Sequence, residues 1–207
     1  ELEDIRGRFP LPDLSGEYRV ARPWGYVEIA GLLRYINWED GGADTLDLSG
    51  TDVGWGLNVS SNLILGASDV VRLQAVFGEG IQNYMNDSTT DIAPVEDPEA
   101  PEGIRGQAIT QVGLVAFLDH TWNERWSSSL GFSLSLIDNT ELQSPAAFAR
   151  GHYALVNLLH HPVKQVTVGA ELQYGRRETH SDGWTSDDFK VQISLRYAFR
   201  HKTGGGA

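Results

Sequence analysis

The chain has 207 residues, enough for a single domain, with no cysteine and a net charge of −12. The acidic balance argues against nucleic acid as a partner, because binding phosphates needs a basic face. The longest apolar run, residues 112–118, is far shorter than the ~20 residues of a membrane-crossing helix. Residues 1–200 are predicted to form the domain, and residues 201–207 are interpreted as a tail or an expression scar.

Alternation of apolar and polar residues predicts nine β-strands and no helix. In chain order the strands cover residues 14–22, 26–38, 53–63, 70–84, 108–120, 126–136, 148–160, 166–174 and 189–199. The last strand is the clearest, with Phe189, Val191, Ile193, Leu195, Tyr197 and Phe199 on one face and Lys190, Gln192, Ser194, Arg196 and Ala198 on the other. In residues 108–120 and 148–160 both faces carry apolar residues, so alternation alone does not show which face of these two strands meets lipid.

The predicted connections alternate between short and long. The short ones are residues 22–25, 66–69, 120–125 and 160–164, and the long ones are residues 39–50, 85–105, 138–146 and 176–188. The long connections hold most of the acidic residues, so the negative charge is mainly a property of the loops. Outer-membrane barrels have this asymmetry, with tight turns on the periplasmic side and longer loops outside.

A soluble β-sandwich or barrel also alternates, with its apolar face turned inward. Three features favour a membrane protein instead. Aromatic residues lie at both ends of the apolar stripes, as in interfacial girdles. Residues 189–199 match the 9–11 residues that a tilted strand needs to cross a bilayer. The polar faces are rich in Gly, Ser, Asn, Gln and charged residues, as a wet lumen would be. The sequence therefore predicts an all-β, transmembrane, antiparallel up-and-down β-barrel.

From about Trp24 to Phe199 the sequence resembles the C-terminal half of the DcaP-like trimeric porins of Gram-negative outer membranes. An ordered series of short segments carries the resemblance: WGYV at 24–27, GLLR at 31–34, GLVAF at 113–117, DH at 119–120, WN at 122–123, WSS at 126–128, YAL at 153–155, NLL at 157–159, Pro162, GAELQYGRRE at 169–178 and SDG at 181–183. The resemblance implies an outer-membrane location, a sixteen-stranded barrel, a homotrimer and the passage of small anions such as dicarboxylates.

Two departures from the family bear on the strand count. Family members are longer than this chain, and such barrels usually end on a terminal aromatic residue, whereas this chain continues beyond Phe199. With the short turns in the periplasm, nine strands leave the N-terminus outside, although single-chain bacterial barrels have even strand counts. Either residues 14–22 are not a membrane strand, or strands upstream are absent from this chain, which we favour. The alternative is a closed eight-stranded barrel over residues 26–199, with an interior filled by side chains. Its role would be structural or adhesive, with residues 85–105 as the contact loop.

The same alternation predicts which charged residues face the lumen. The pore-lining candidates are Arg19, Arg34, Arg72, Glu171, Arg177, Lys190 and Arg196, with Glu17 and Glu28 as further acidic positions. A basic lining would concentrate small anionic solutes and bias selectivity. The alternative is that these side chains pair with acidic residues on neighbouring strands and only stabilise the wall.

Enzymatic motifs are absent from the sequence. There is no Gly-x-Ser-x-Gly elbow, and no histidine has the spacing of a catalytic triad. We therefore expect a porin that gives passive passage to small polar solutes, with the lipid bilayer as its surroundings. No enzyme activity, catalytic residue, metal site or cofactor is predicted.

Overall fold

The computed structural model describes residues 5–42, 47–85 and 89–199. In these residues the chain forms twelve strands and a short 3-10 helix. The strands are β1 (Ile5–Arg8), β2 (Leu14–Arg22), β3 (Gly25–Asp40), β4 (Gly50–Leu65), β5 (Asp69–Glu79), β6 (Ile92–Glu96), β7 (Ile104–Ala108), β8 (Thr110–Asn123), β9 (Trp126–Ile137), β10 (Phe148–Val163), β11 (Val166–Thr179) and β12 (Thr185–Tyr197), and the 3-10 helix is Gln82–Tyr84. No helix in the described part is long and apolar enough to cross a membrane. Residues 201–207, interpreted above as a tail, lie outside the described residues.

One antiparallel sheet contains all nine predicted strands, in the order β1-β3-β4-β5-β8-β9-β10-β11-β12, with β2 also paired to β3. We call this sheet the wall. From β2 onward each strand of the wall pairs with the next wall strand along the chain, so the predicted up-and-down antiparallel fold is confirmed. β1 pairs with the far end of β3 and β2 with its near end. The two together form one interrupted strand, so the suggestion that residues 14–22 are not a wall strand is wrong.

The strand pairing at the two ends of the sheet contradicts the closed eight-stranded alternative, in which β3 would pair with β12. The outer edge of β3 pairs with β1 and β2, and among the described strands β12 pairs only with β11. β2 and β12 run in the same direction, because an even number of antiparallel steps separates them. A closed antiparallel barrel that includes this sheet therefore needs an odd number of further strands between them.

The two faces of the sheet differ as predicted. One face presents exposed apolar side chains at every second residue, for example Leu57, Leu130, Leu172 and Ile193. The pairing register also settles the faces of β8 and β10, which alternation left open. Leu114, Phe132 and Val156 belong to this apolar, outward face. A continuous apolar band of this extent is typical of a surface that meets lipid.

Aromatic side chains border the apolar band at both ends. Near the long loops, Trp55 packs against Phe77 at 5.5 Å between ring centroids, and Tyr174 packs against Phe189 at 4.9 Å. Near the short turns, the ring of Trp126 lies 4.3 Å from that of His160. The two aromatic rims agree with the girdles that were predicted from the sequence.

The segment between β5 and β8 departs most from the prediction. β5 ends at Glu79 rather than at Tyr84, because Gly80 adopts a φ of +62° that turns the chain away from the wall. The predicted long loop, residues 85–105, contains most of an unpredicted hairpin made of β6 and β7. Ala108 ends β7, and β8 begins at Thr110.

Candidate functional site: a loop folded across the polar face

Residues 80–85 and 89–109, which we call the inward loop, fold back over the polar face of the sheet. Ile81 is fully buried against β4 and β5. A side chain at Gly56 or Gly78 would come within 3.0 and 3.1 Å of Ile81, so the glycines leave the space that this residue occupies. The sequence predicts that the glycine-rich polar faces border water. In the structure, part of this glycine-rich surface packs against the inward loop instead.

Apolar contacts hold the hairpin part of the inward loop. Ala93 and Ile109 are buried together with Ile137 of β9, and Phe148 packs against them. On the other side the hairpin lies over Trp38. A side chain at Gly106 would collide with the Trp38 ring, which shows how closely β7 approaches the wall.

Hydrogen bonds tie the inward loop to two wall strands and to the connection between β9 and β10. The buried Gln111 of β8 donates from Nε2 to the carbonyl of Thr90 at 2.7 Å. The amide of Ala108 donates to Asp52 Oδ2 of β4 at 2.6 Å, and the hydroxyl of Thr140 donates to the carbonyl of Pro94 at 2.7 Å. The loop is therefore held on several sides.

A buried arginine forms the centre of the attachment. The Arg34 side chain is only 4% exposed and contacts two carboxylates, with Nη1 2.8 Å from Asp91 Oδ1 and Nε 3.1 Å from Asp13 Oδ2. Its Nη1 also donates to the carbonyl of Gly80. The Tyr84 hydroxyl donates to Asp13 Oδ2 at 2.7 Å, and the Gln82 amide donates to Asp91 Oδ1 at 2.6 Å. We call Arg34, Asp13, Asp91 and Tyr84 the Arg34 network.

The Arg34 network predicts a response to alkali. The hydrogen bond to the Asp13 carboxylate raises the pKa of Tyr84 above its ordinary value of 10.0, with burial and the negative charge of Asp13 adding to the effect. A pKa raised on folding means that this stabilisation is complete below pH ~10 and is lost as the pH rises through the raised pKa. In an absorbance titration of phenolate, we expect Tyr84→Phe to remove a component that ionises above pH 10. Loss of a component at or below pH 10 would contradict the assignment.

The other predicted arginines divide into two groups. Two have carboxylate partners on neighbouring strands: Arg19 lies 3.9 Å from Glu28, and Arg72 Nε lies 2.6 Å from Asp119 Oδ2. With Arg34, these follow the alternative considered from the sequence, in which the charges stabilise the wall. The guanidinium of Arg177 instead lies over two aromatic rings, 5.7 Å from the centroid of Phe148 and 6.0 Å from that of Trp184.

The remaining candidates lie on the inward face of β2, β11 and β12. Lys190 and Arg196 are exposed, opposite Gln173 and Thr167 in the register. Among the described carboxylates, none lies within ion-pair distance of Arg177, Lys190 or Arg196. Glu171 accepts hydrogen bonds from the side-chain amides of Asn157 and Gln173. Glu17 of β2 lies opposite Ala30 of β3.

The inward loop leaves open space on the polar face. A cavity of about 850 Å³ lies between the loop residues Tyr84 and Met85 and the wall residues Ser133, Tyr153 and Arg177. A second cavity, of about 430 Å³, lies over β2 to β5 and shares Tyr84 as a lining residue. In the described part of the chain no cluster of three or more His, Cys, Asp and Glu residues could hold a metal ion.

An apolar outward face, a polar inward face and a loop folded across the latter define the wall of a porin-type β-barrel. A solved structure with the same fold is the outer membrane channel DcaP of Acinetobacter baumannii, with a TM-score of 0.82 and 19% sequence identity over 95% of this chain and 54% of that chain. The resemblance to the DcaP-like porins is thus confirmed for the fold. This chain spans about half the length of the DcaP chain.

Two other structures match less well. The CymD monoaromatic hydrocarbon channel has a TM-score of 0.48 and 11% identity, over 91% of this chain and 51% of that chain. The NanC porin has a TM-score of 0.44 and 10% identity, over 90% of this chain and 99% of that chain. No family model matches the sequence, and no curated protein matches it.

Proposed function

We propose that this chain is part of a bacterial outer-membrane porin that gives passive passage to small polar solutes. The observation that carries the proposal is the inward loop, which narrows the polar side of a membrane-type sheet and leaves cavities beside polar side chains. The fold shared with an outer membrane channel supports the location. Solutes would move down their own gradient, so the proposal includes no catalytic step and no cofactor.

The direct test is conductance of the intact protein, including any residues that its gene encodes on either side of this chain, in planar lipid bilayers. Discrete, long-lived open steps are expected. A protein that inserts in a folded state but never conducts would contradict the porin and favour a structural or adhesive role.

We further propose a sixteen-stranded homotrimer that favours small anions such as dicarboxylates. The support for an anion preference is local. Arg177, Lys190 and Arg196 lie on the inward face without a described carboxylate in ion-pair distance, whereas Arg34 and Arg72 are paired. A cation held on a strand keeps its position as a solute passes, while charges on distant loops are screened over about 8 Å at physiological salt. The strands β11 and β12 should therefore contribute most of the bias.

Changing Arg177, Lys190 and Arg196 together to Gln is expected to move the reversal potential in a salt gradient towards that of a non-selective or cation-selective pore. The matched control is the triple change of Arg125, Arg150 and Arg176 to Gln, which removes the same charge from the outward face of β10 and β11 and from the short turn between β8 and β9. The control should keep the selectivity of the parent. A cation-selective parent, or equal shifts in the two variants, would reject the anion assignment.

A further inference from the structure

Arginine side chains interrupt the apolar outward face at the end of the sheet that carries the long loops. Arg176 of β11 and Arg150 of β10 both point outward, with 44% and 51% of their side chains exposed. Glu178 lies between them, with its Oε1 2.9 Å from Arg176 Nε and its Oε2 3.8 Å from Arg150 Nη1. Charged groups on a lipid-facing surface are costly in the hydrocarbon region, so their depth decides what they meet.

The aromatic rim gives that depth. Arg176 follows Tyr174 by two residues on the same strand, and Tyr174 packs against Phe189 in the rim. Two residues of a strand extend about 7 Å, less along the membrane normal because the strands are tilted. The rim aromatics occupy the headgroup boundary, so Arg176 and Arg150 lie at the level of the headgroups rather than among acyl chains.

The first wall strand repeats the arrangement. On β3 the outward Tyr35 is followed by Asn37 and Glu39, which lie opposite Arg8 and Arg6 of β1. Arg8 Nη2 lies 2.6 Å from Glu39 Oε2. At two separated places on the wall, two arginines and one glutamate thus follow an outward aromatic residue.

We call Arg6, Arg8, Arg150 and Arg176 the rim arginines. The carboxylates beside them on the outward surface are Glu39 and Glu178, with Asp187 opposite Arg176 on β12. The outward Glu79 lies on β5, two strands from β3, and accepts a hydrogen bond from Trp55 Nε1. Among the described residues, four cations thus face three carboxylates at these two places, although the whole sequence has a net charge of −12. Each guanidinium has five N–H donors in a planar fork, more than the shared carboxylates accept here, and that fork matches the oxygens of a phosphate.

We propose that the rim arginines bind the phosphate groups of outer-leaflet lipid, namely the lipid A phosphates of lipopolysaccharide. The inference rests on the proposed outer-membrane location and is independent of conduction. Lipid A has the two properties that this surface requires, acyl chains for the apolar band and phosphates directly above them. A subunit contact through the same arginines is the competing account, and the experiment below separates the two.

The test uses the intact, folded protein in zwitterionic detergent and measures its affinity for bisphosphorylated lipid A, for the same lipid A without phosphates and for inorganic phosphate. The double variant Arg150→Gln with Arg176→Gln is expected to bind bisphosphorylated lipid A roughly tenfold more weakly, a change that corresponds to the loss of about one charge-assisted hydrogen bond. Phosphate-free lipid A should bind more weakly to the parent and should not distinguish parent from variant. Equal binding of both lipids by the parent would overturn the proposal.

Arg177→Gln is the matched control, because it removes a cation next to Arg176 from the opposite face. It should leave lipid affinity unchanged, and an equal loss in Arg177→Gln would show that the effect is only one of net charge. The double change to Lys keeps the charge without the fork and should bind with intermediate affinity; full retention would overturn the bidentate geometry. Inorganic phosphate that binds the parent as tightly as lipid A would overturn the lipid as the ligand.

Two further measurements on the same samples keep the outcomes apart. Heat-dependent mobility on gels shows whether each variant is a folded barrel, and conductance reports on the proposed function. Lipid binding by a protein that does not conduct would reject the porin while supporting the lipid site. A double variant with unchanged lipid affinity but an altered oligomer would assign the rim arginines to a subunit contact and overturn the proposal.

Discussion

Replacing Ile193 by Arg is expected to destabilise the membrane-inserted protein by about 2–4 kcal/mol, because the side chain lies in the middle of β12 on the lipid face. Ile193 is 78% exposed, and Ala170 lies opposite it on β11. Leu172→Arg on the neighbouring strand should cost a similar amount. In both cases the guanidinium would meet acyl chains, where it finds neither water nor a counter-ion.

The adjacent residue provides the control. Gln192 points to the inward face and lies opposite Glu171, so an arginine at position 192 would meet a carboxylate in a polar environment. Its penalty should be much smaller than that of Ile193→Arg. The measurement is the free energy of unfolding by denaturant in liposomes, with heat-dependent gel mobility as the indicator of the folded state. Equal penalties at positions 192 and 193 would mean that the two faces are assigned wrongly.

Replacing Arg34 by Met is expected to have the other large effect, about 3 kcal/mol or more in the stability of the inward loop. The change leaves the partly buried carboxylates of Asp13 and Asp91 without the buried cation between them, and breaking a buried ion pair from one side typically costs about 3–5 kcal/mol. We place the effect at the lower end because both carboxylates keep some contact with water. The wall, held by its ladder hydrogen bonds, should remain folded.

Two measurements report on this loop: the hydrogen-exchange rate of the amides in residues 89–109 and the current noise of the open channel. Both should rise in Arg34→Met. Arg72→Met is the comparison, since its pair with Asp119 is half exposed and such pairs contribute about 0–1 kcal/mol. If the loop amides are equally protected from hydrogen exchange in Arg34→Met and Arg72→Met, Arg34 does not hold the inward loop in place.

The strands of the wall are predictable from the sequence because the signals that define them, alternation and loop length, lie within short segments of the chain. A period of two fixes which residues share a face, so alternation alone places Ile193 and Gln192 on opposite faces. Loop lengths fixed the direction of successive strands. Where both faces are apolar, as around Leu114 and Val156, the missing information is the pairing register, which depends on the neighbouring strand.

The inward loop was not predictable in the same way. β6 contains Pro94 and β7 contains Gly106, two residue types that weaken a strand prediction. The burial of Arg34 depends on Asp13 and Asp91, which are far from it in sequence, and alternation states only that Arg34 faces inward. Gly80 gave the one local signal, because a glycine directly after an alternating run permits the turn that ends β5.

The up-and-down wall also has a consequence for the order of assembly. Its strands pair with their neighbours along the chain, so contacts can form one hairpin at a time with little cost in loop closure. The inward loop is different, because its bonds join Arg34 to Asp91 across 57 residues and Thr140 to Pro94 across 46. These bonds form only when strands on both sides of the loop are in place. We therefore expect the inward loop to fold over the polar face as a late step, separable from insertion of the wall.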